Sequence, residues 1–459
     1  MPSSPIKEFL ERSERKAFDA AHRQKIDFNI SKYDQTVLKG KQQYSNLEAA
    51  REKAAAIKRK VVENLDQYLL EFESNFTKRG GRIIWAEDER QAVDAILGIL
   101  KRAGVTSVVK SKSMATEEIH LNEALEENNI EPVETDLGEY IVQVAGEKPY
   151  HIVTPAMHKS KEEVADLFHK KFGLPAGSSP VEIAGFVRKK LRKKFIHAGA
   201  GITGANFLIA DIGGIAITEN EGNALLTVAC PKIHIAVCGI EKLIPSLSDL
   251  SHFWPLLATY GTGQRVTVYN SIITGPKKEN ELDGPEQVYL VLLDMGRTKL
   301  LANPQQRQAL TCIRCGACLN ACPVYKTIGG HSYGAVYSGP IGSVIMPHLQ
   351  GFEKYSHLSF ASSLCGKCSE VCPVKIDIHK QLLENRYYSV SGGNYGIVEK
   401  ISIRMWRTAM LHPRLVNIIP SFIINRFFKY FFRMKWGEKR DLPEFAPESF
   451  RRLWKRRNN

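Results

Sequence analysis

The chain has 459 residues, of which 43% are hydrophobic and 24% are charged, and its formal net charge is +14. This length exceeds what one hydrophobic core supports, so we expect two or three packed units, and the composition excludes a largely disordered chain. The first residues contain no apolar segment of the kind found in secretory signals, and this feature together with clustered cysteines predicts a protein of the reducing cytoplasm.

The first predicted region, residues 1–78, is polar and rich in Ala, Lys, Arg and Glu, with apolar positions at helical spacing. It is predicted to be amphipathic helix. In residues 79–298, β-rich runs alternate with helical segments such as Glu89–Arg102, which predicts an α/β domain with a mainly parallel sheet. The predicted strands are Arg82–Trp85, Ser107–Lys110, His151–Thr154, Phe207–Ala210, Ile215–Thr218, His234–Cys238, Arg265–Tyr269 and Val288–Leu293.

Seven of the nine cysteines fall in a third predicted domain, residues 299–392. The first motif reads Cys312-Ile-Arg-Cys315-Gly-Ala-Cys318-Leu-Asn-Ala-Cys322-Pro323. This is the C-x2-C-x2-C-x3-C-P spacing of bacterial ferredoxins, in which three thiolates wrap one iron–sulfur cluster and the fourth ligates a second cluster. The glycine inside the motif lets the backbone curl closely round the inorganic sulfides.

The second motif reads Ser362-Ser-Leu-Cys365-Gly-Lys-Cys368-Ser-Glu-Val-Cys372-Pro373, with serine in the place of the first cysteine. The crossed pattern predicts that cluster one, a [4Fe-4S] cluster, takes Cys312, Cys315, Cys318 and Cys372, whereas cluster two takes Cys322, Cys365 and Cys368. Cluster two is therefore one thiolate short. Three forms remain open for it: a [3Fe-4S] cluster, a [4Fe-4S] cluster completed by Ser362, water or a partner, or a cluster with a labile iron.

A structural zinc site is the competing interpretation of the cysteines, because paired C-x2-C units also bind zinc. Zinc needs only four ligands in two separated pairs, so seven cysteines with two Cys-Pro endings favour two clusters. Cys230 and Cys238 lie in apolar segments that we interpret as β-rich core, and we predict that both are structural. His151, His158 and His331 are predicted to form hydrogen bonds and are left out of the metal-ligand set.

The remaining residues, 393–459, form a basic, aromatic tail, in which residues 400–459 contain 15 Lys and Arg against 4 Asp and Glu. The apolar run Leu415–Phe432 is interrupted by Pro420, Arg426 and Lys429, so we do not expect it to span a membrane. Docking of the tail on the protein itself or on a subunit is favoured over peripheral contact with a membrane surface. Because no nucleic-acid-binding motif accompanies the charge, no nucleic acid partner is predicted.

Several segments of the predicted α/β region resemble those of one known family. They are Ser111-Lys-Ser-Met114 with Glu117-Glu118, Glu134-Thr-Asp-Leu-Gly-Glu139-Tyr140, His151-Ile-Val-Thr-Pro155-Ala-Met-His158, Gly201-Ile-Thr-Gly204-Ala-Asn206-Phe207, Glu219-Asn220-Glu221-Gly222-Asn223, Gly239-Ile-Glu241-Lys242 and Thr262-Gly263-Gln264. With the cysteine motifs, they resemble the LutB (LldF) family, the iron–sulfur subunits of the bacterial L-lactate utilisation complex.

The resemblance implies an α/β lactate-utilisation (LUD) domain, with a mixed sheet in a fold related to CoA transferases and sugar-phosphate isomerases, followed by an α-helical two-cluster ferredoxin-type domain. It also implies LutA-like and LutC-like partner subunits. The implied function is electron transfer within a complex of L-lactate dehydrogenase type, which oxidises L-lactate to pyruvate so that lactate serves as a carbon source. The terminal electron acceptor remains open.

The alternative function places an active site for hydroxy-acid or acyl chemistry in the LUD domain, with the clusters as accessories. Its candidate catalytic residues are Glu219 and Glu221, because this segment resembles the Glu-Asn-Gly turn where related CoA transferases carry a nucleophilic glutamate. The competing interpretation, which we favour, is a polar turn in a domain that kept its fold and lost its chemistry.

Overall fold

The computed structural model describes residues 5–392, 397–412, 420–432 and 441–458. The chain divides after Tyr388 into two units. The predicted start of the tail, residues 393–396, and residues 415–419 of its apolar run lie outside the described residues.

Four helices form the N-terminal region: α1 Pro5–Ala17, α2 Ala20–Lys41, α3 Leu47–Glu63 and α4 Leu65–Lys78. The second and third begin at side-chain caps, where Asp19 and Asn46 accept hydrogen bonds from the amides of His22 and Ala49. Such caps satisfy backbone donors that a helix start leaves unpaired.

The next part of the chain contains ten strands. They are β1 Arg82–Ala86, β2 Ser107–Lys110, β3 Glu131–Glu134, β4 Ala200–Thr203, β5 Phe207–Ile209, β6 Gly214–Glu219, β7 Ile233–Gly239, β8 Leu243–Ile244, β9 Tyr269–Ile273 and β10 Gln287–Leu293. Six of them form a parallel sheet in the order β1-β10-β7-β4-β2-β3. The central strand β7 is buried along its whole length, as expected for a parallel sheet covered on both faces.

The other four strands form a second sheet in the order β8-β5-β6-β9, with antiparallel pairs on both sides of β6 and a parallel pair between β5 and β8. Helices occupy the connections, as parallel strands require. They are α5 Glu89–Arg102, α6 Met114–Glu118, α7 Leu121–Glu127, α8 Leu137–Ala145, α9 Lys161–Phe172, α10 Pro180–His197, α11 Asn223–Ala229 and α12 Leu250–Thr262. The predicted α/β class is thus confirmed, with the strands divided between two sheets.

Two predicted strands are wrong. Residues 151–154 form no strand, because the His151 ring accepts hydrogen bonds from the amides of Val153 and Thr154, at 3.1 and 3.2 Å. The strand predicted at 265–269 begins only at Tyr269, where pairing with β6 begins. The strand β3 was missed because it contains a proline, which sheets tolerate at an edge such as this one.

Short helices build the cysteine-bearing region: α13 Arg297–Leu301, α14 Ala317–Ala321, α15 Pro323–Ile328, α16 Gly339–Gln350, α17 Phe352–Tyr355, α18 Lys367–Glu370 and α19 Ile378–Ser391. Between them lie 3-10 turns such as Arg307–Thr311. The described tail contains α20 Ile397–Leu411, α21 Ser421–Phe427 with a following π turn, and α22 Phe450–Asn458. Among the described helices, none is long and apolar enough to cross a membrane.

Candidate functional site

Four cysteines from distant parts of the chain surround one small cavity. Cys312, Cys315 and Cys318 come from the first motif and Cys372 from the end of the second, and all four line the cavity together with apolar residues such as Ile341. Burial, and then the charge of Cys312 among nearby groups, raises the pKa of Cys372 to about 12. The four cysteines that the crossed pattern assigns to cluster one thus line a single cavity.

The other three cysteines of the motifs form a second group. Burial, and then the charge of Cys322, raises the pKa of Cys368 to about 11, and the charge of Cys365 contributes to both of its neighbours. Cys365 is exposed, in contrast with the buried Cys322 and Cys368. The second group therefore lies nearer the surface than the first.

The loops that begin the two motifs have the same local geometry. The amide of Arg314 donates to the sulfur of Cys312 at 3.4 Å, and the amide of Leu364 donates to the hydroxyl of Ser362 at 3.1 Å. Arg314 and Leu364 both have positive φ, 60° and 55°, which is uncommon for residues other than glycine. Ser362 thus stands at the position that Cys312 has in the first motif.

A larger cavity of about 440 Å³ lies next to the first cysteine group. Its lining includes residues that lie one to three positions beyond the carboxyl ends of the parallel strands, such as Lys112 after β2, Gly204 after β4 and Lys242 after β7. Ligands of open α/β sheets bind at this edge. Arg314 and Cys315 of the first motif form part of the wall, so the cavity reaches the first cysteine group.

The candidate catalytic carboxylates, Glu219 and Glu221, both line the larger cavity. Glu219 accepts hydrogen bonds from the amides of Ala224 and Leu225 at 2.7 and 2.8 Å, and so caps the start of α11. Glu221 accepts one from the amide of Leu137 at 3.2 Å. Burial is the main cause that raises the pKa of both carboxyls.

Comparison with known proteins finds a family-model match for the α/β part of the chain and another for the cysteine-bearing part. Residues 69–293 match the family model of the LUD domain, and residues 308–376 match that of the 4Fe-4S dicluster domain. Lactate utilization protein B of Bacillus cytotoxicus is 43% identical over 429 residues, which cover 91% of this chain and 90% of that protein. The protein of the same name from Bacillus thuringiensis is 42% identical over the same shares.

This chain belongs to the lactate utilization protein B family. Its second domain is of the iron–sulfur dicluster type, so iron–sulfur clusters are the cofactors of this family member. A crystal structure of a DUF162 family protein from Deinococcus radiodurans aligns with 50% of this chain and 98% of its own, at 11% identity and a TM-score of 0.29.

A buried network of charges that sequence patterns did not indicate joins the two domains of this family member. Arg297 forms a bidentate pair with Glu118, with both distances 2.8 Å, and donates to Glu241 at 2.7 Å. Arg314, from the first cysteine motif, approaches the other oxygen of Glu241 at 3.3 Å. Although burial opposes it, the charges of Arg297 and Arg314 hold the pKa of Glu241 at about 2.

The remaining predicted residues have mixed outcomes. Cys238 is buried in β7, as predicted, and burial raises the pKa of its thiol to about 12. Cys230 is exposed at the end of α11, so its assignment to a buried β segment is wrong; the apolar residues before it belong to a helix. His158 pairs with Glu147 at 2.6 Å and His331 bonds the carbonyl of Lys148 at 2.7 Å, in agreement with their predicted hydrogen-bonding roles.

Proposed function

We propose that this protein is the iron–sulfur electron-transfer subunit of an assembly that oxidises L-lactate to pyruvate, which lets lactate serve as a carbon source. The observation that carries the proposal is the division of seven cysteines into two groups beside a LUD domain. The names of the relatives, lactate utilization protein B, supply the substrate.

The proposed ligands follow the two groups. Cys312, Cys315, Cys318 and Cys372 would hold a [4Fe-4S] cluster, since their soft thiolates are the donors that such clusters take and they already surround a cavity. The second group, Cys322, Cys365 and Cys368, would hold a [4Fe-4S] or [3Fe-4S] cluster, with Ser362 at the position of the absent fourth cysteine. When bound, such clusters supply single-electron transfer, which splits the two-electron oxidation of a hydroxy acid into single steps.

The chain's own residues prepare the two sites differently. Apolar side chains such as Ile341 and Ile376 keep water from the first group. The amides of Arg314 and Leu364 point at the first side chain of each motif and so orient it for ligation. The exposure of Cys365 leaves the second group accessible to an electron-transfer partner.

We further propose LutA-like and LutC-like proteins as partner subunits and the cytoplasm as the location. A second candidate function is an active site of the LUD domain itself. It is favoured by one observation, that Glu219 and Glu221 face a cavity of about 440 Å³.

Anaerobic copurification with LutA-like and LutC-like subunits tests the electron-transfer function. We expect L-lactate, but not D-lactate, to bleach the visible iron–sulfur absorbance of the assembly. The matched control is Cys318→Ala, which should lose part of the absorbance before lactate is added. An intact, iron-loaded assembly whose absorbance does not respond to L-lactate would contradict the proposal.

A further inference from the structure

The larger cavity carries chemistry that electron transfer between clusters does not use. The segments that line it, such as 111–115, 204–206, 219–224 and 239–242, lie at the ends of four strands, β2, β4, β6 and β7. With a volume of about 440 Å³ it falls within the usual size of small-molecule sites. The fold therefore maintains a ligand-sized space against the first cysteine group.

The end of the cavity beside the cysteines is cationic. Lys242 lines it, and within the described part of the chain its ammonium group makes no hydrogen bond or ion pair. Arg314 lines the same end, and its Nη1 is buried without a hydrogen-bond partner. A buried donor without an acceptor is costly, so these two groups are suited to an anion that completes their hydrogen bonds.

The nearby carboxylates and carbonyls are already engaged. Glu241 is bound by Arg297 at 2.7 Å and reached by Arg314 at 3.3 Å. Lys58, a buried lysine near Glu241, donates to the carbonyl oxygens of Glu241 and Leu243 at 2.6 and 3.0 Å. At the cysteine end of the cavity, the charge available to a ligand is consequently that of Lys242 and the open side of the Arg314 guanidinium. Lys112, which also lines the cavity, is instead near the carboxylates of Asp136, Glu139 and Glu221.

The geometry favours a carboxylate over a phosphate. Phosphate sites in α/β folds use backbone amides at the start of a helix. The amides at the start of α11, those of Ala224 and Leu225, are filled by the carboxylate of Glu219. A guanidinium edge with one lysine beside it suits the two oxygens of a single carboxylate.

We propose that this cavity is a binding site for a small organic carboxylate, whose carboxylate group is held by Lys242 and Arg314 beside the first cysteine group. The binding site does not depend on the electron-transfer function. The expected contact between ligand and cluster does rest on the electron-transfer function, since that contact requires an iron–sulfur cluster in the first cysteine group.

Binding of pyruvate, as a probe carboxylate, to the anaerobic iron-loaded chain tests this site. Isothermal titration should show saturable binding of pyruvate and none of pyruvamide, which has similar shape without the charge. We expect Lys242→Met to weaken pyruvate binding at least tenfold. The matched control is Lys299→Met, which removes an exposed lysine of α13 and should leave the affinity unchanged.

A second measurement keeps the proposal falsifiable if Lys242→Met folds poorly. Pyruvate should shift the electron paramagnetic resonance signal of the reduced cluster in the first group of the wild type, and pyruvamide should not. The proposal would be overturned if the two lysine variants bound pyruvate equally, if pyruvamide bound as well as pyruvate, or if saturating pyruvate left the electron paramagnetic resonance signal unchanged. In that case Lys242 and Arg314 would only balance the charge of the cluster. Iron content of the same samples reports separately on the proposed function.

Discussion

Ser362 and Cys312 occupy equivalent positions in two loops of the same shape. Each accepts a hydrogen bond from the amide two residues later, at 3.1 Å for Ser362 and 3.4 Å for Cys312. In each loop the donor residue has positive φ, and the next cysteine is followed by a glycine with φ near 80°. The second loop therefore keeps the ligand geometry of the first and replaces a thiolate with a hydroxyl.

This replacement predicts a weakly held iron. A neutral hydroxyl is a poorer iron ligand than a thiolate, so mild oxidation should convert the cluster of the second group to a three-iron form while the first survives. Ser362→Cys should prevent the conversion, and Ala361→Cys, one residue away, should not. Electron paramagnetic resonance of the oxidised proteins measures the three-iron signal. The prediction would be contradicted if the oxidised wild type gave no three-iron signal. It would also be contradicted if the signal were equally strong in a variant shown to carry the fourth thiolate.

Arg297 is predicted to be the most sensitive charged residue of the interface between the two domains. Arg297→Met leaves the carboxylates of Glu118 and Glu241 buried with fewer partners, 0% and 2% exposed. Removal of one member of a buried ion pair costs about 3–5 kcal/mol of unfolding free energy. The exposed pair Arg90–Asp94 provides the control, since Arg90→Met should cost less than about 1 kcal/mol. Urea unfolding of both variants measures the difference, and equal costs would contradict it.

Replacements of Glu219 and Glu221 are predicted to have different effects on the stability of the protein and no large effect on its activity. Glu219→Gln weakens the cap of α11, which costs about 1 kcal/mol, whereas Glu221→Gln loses one longer bond. Both variants should keep lactate oxidation by the reconstituted assembly within a few-fold of wild type. A loss of about 10²-fold in either variant, with clusters intact, would instead support an active site in the LUD domain.

Because the His22 ring is buried, we predict that the protein loses stability in mild acid. The ring bonds the hydroxyl of Tyr150 at 2.9 Å, and burial, followed by the charge of Lys16, lowers its pKa to about 4. Below pH about 6.5 the unfolded chain takes up a proton that the folded His22 does not. The unfolding free energy should therefore fall between pH about 6.5 and 4, by about 1.4 kcal/mol per pH unit at most for this group.

Thermal unfolding from pH 7.5 to 5.5 measures this dependence. His22→Gln should reduce the decline in melting temperature, whereas His197→Gln, at an exposed histidine, should not. An identical decline in melting temperature in the His22 variant and the wild type would show that the His22 ring does not contribute to the pH dependence of stability.

Sequence patterns predicted the features that depend on the spacing of residues close together in the chain. The distribution of the cysteines between two groups follows from residues three or four apart and a repeated motif, and the helix Glu89–Arg102 has the predicted bounds because its cap and apolar face are contiguous. The pair Arg297–Glu118 joins residues 179 positions apart, and no local pattern indicates it. The cationic end of the cavity was likewise not predicted, because Lys242 and Arg314 meet only after the two domains pack.

The division of the cysteines into two groups is the central claim, and single cysteine replacements test it most directly. Iron content and electron paramagnetic resonance are measured on anaerobically prepared Cys312→Ala, Cys372→Ala, Cys322→Ala and Cys368→Ala. The crossed arrangement predicts that Cys312→Ala and Cys372→Ala lose one and the same cluster signal, although 59 intervening residues separate the two positions. Cys322→Ala and Cys368→Ala should lose the other signal. Loss of one signal by Cys312→Ala and of the other by Cys372→Ala would contradict the account.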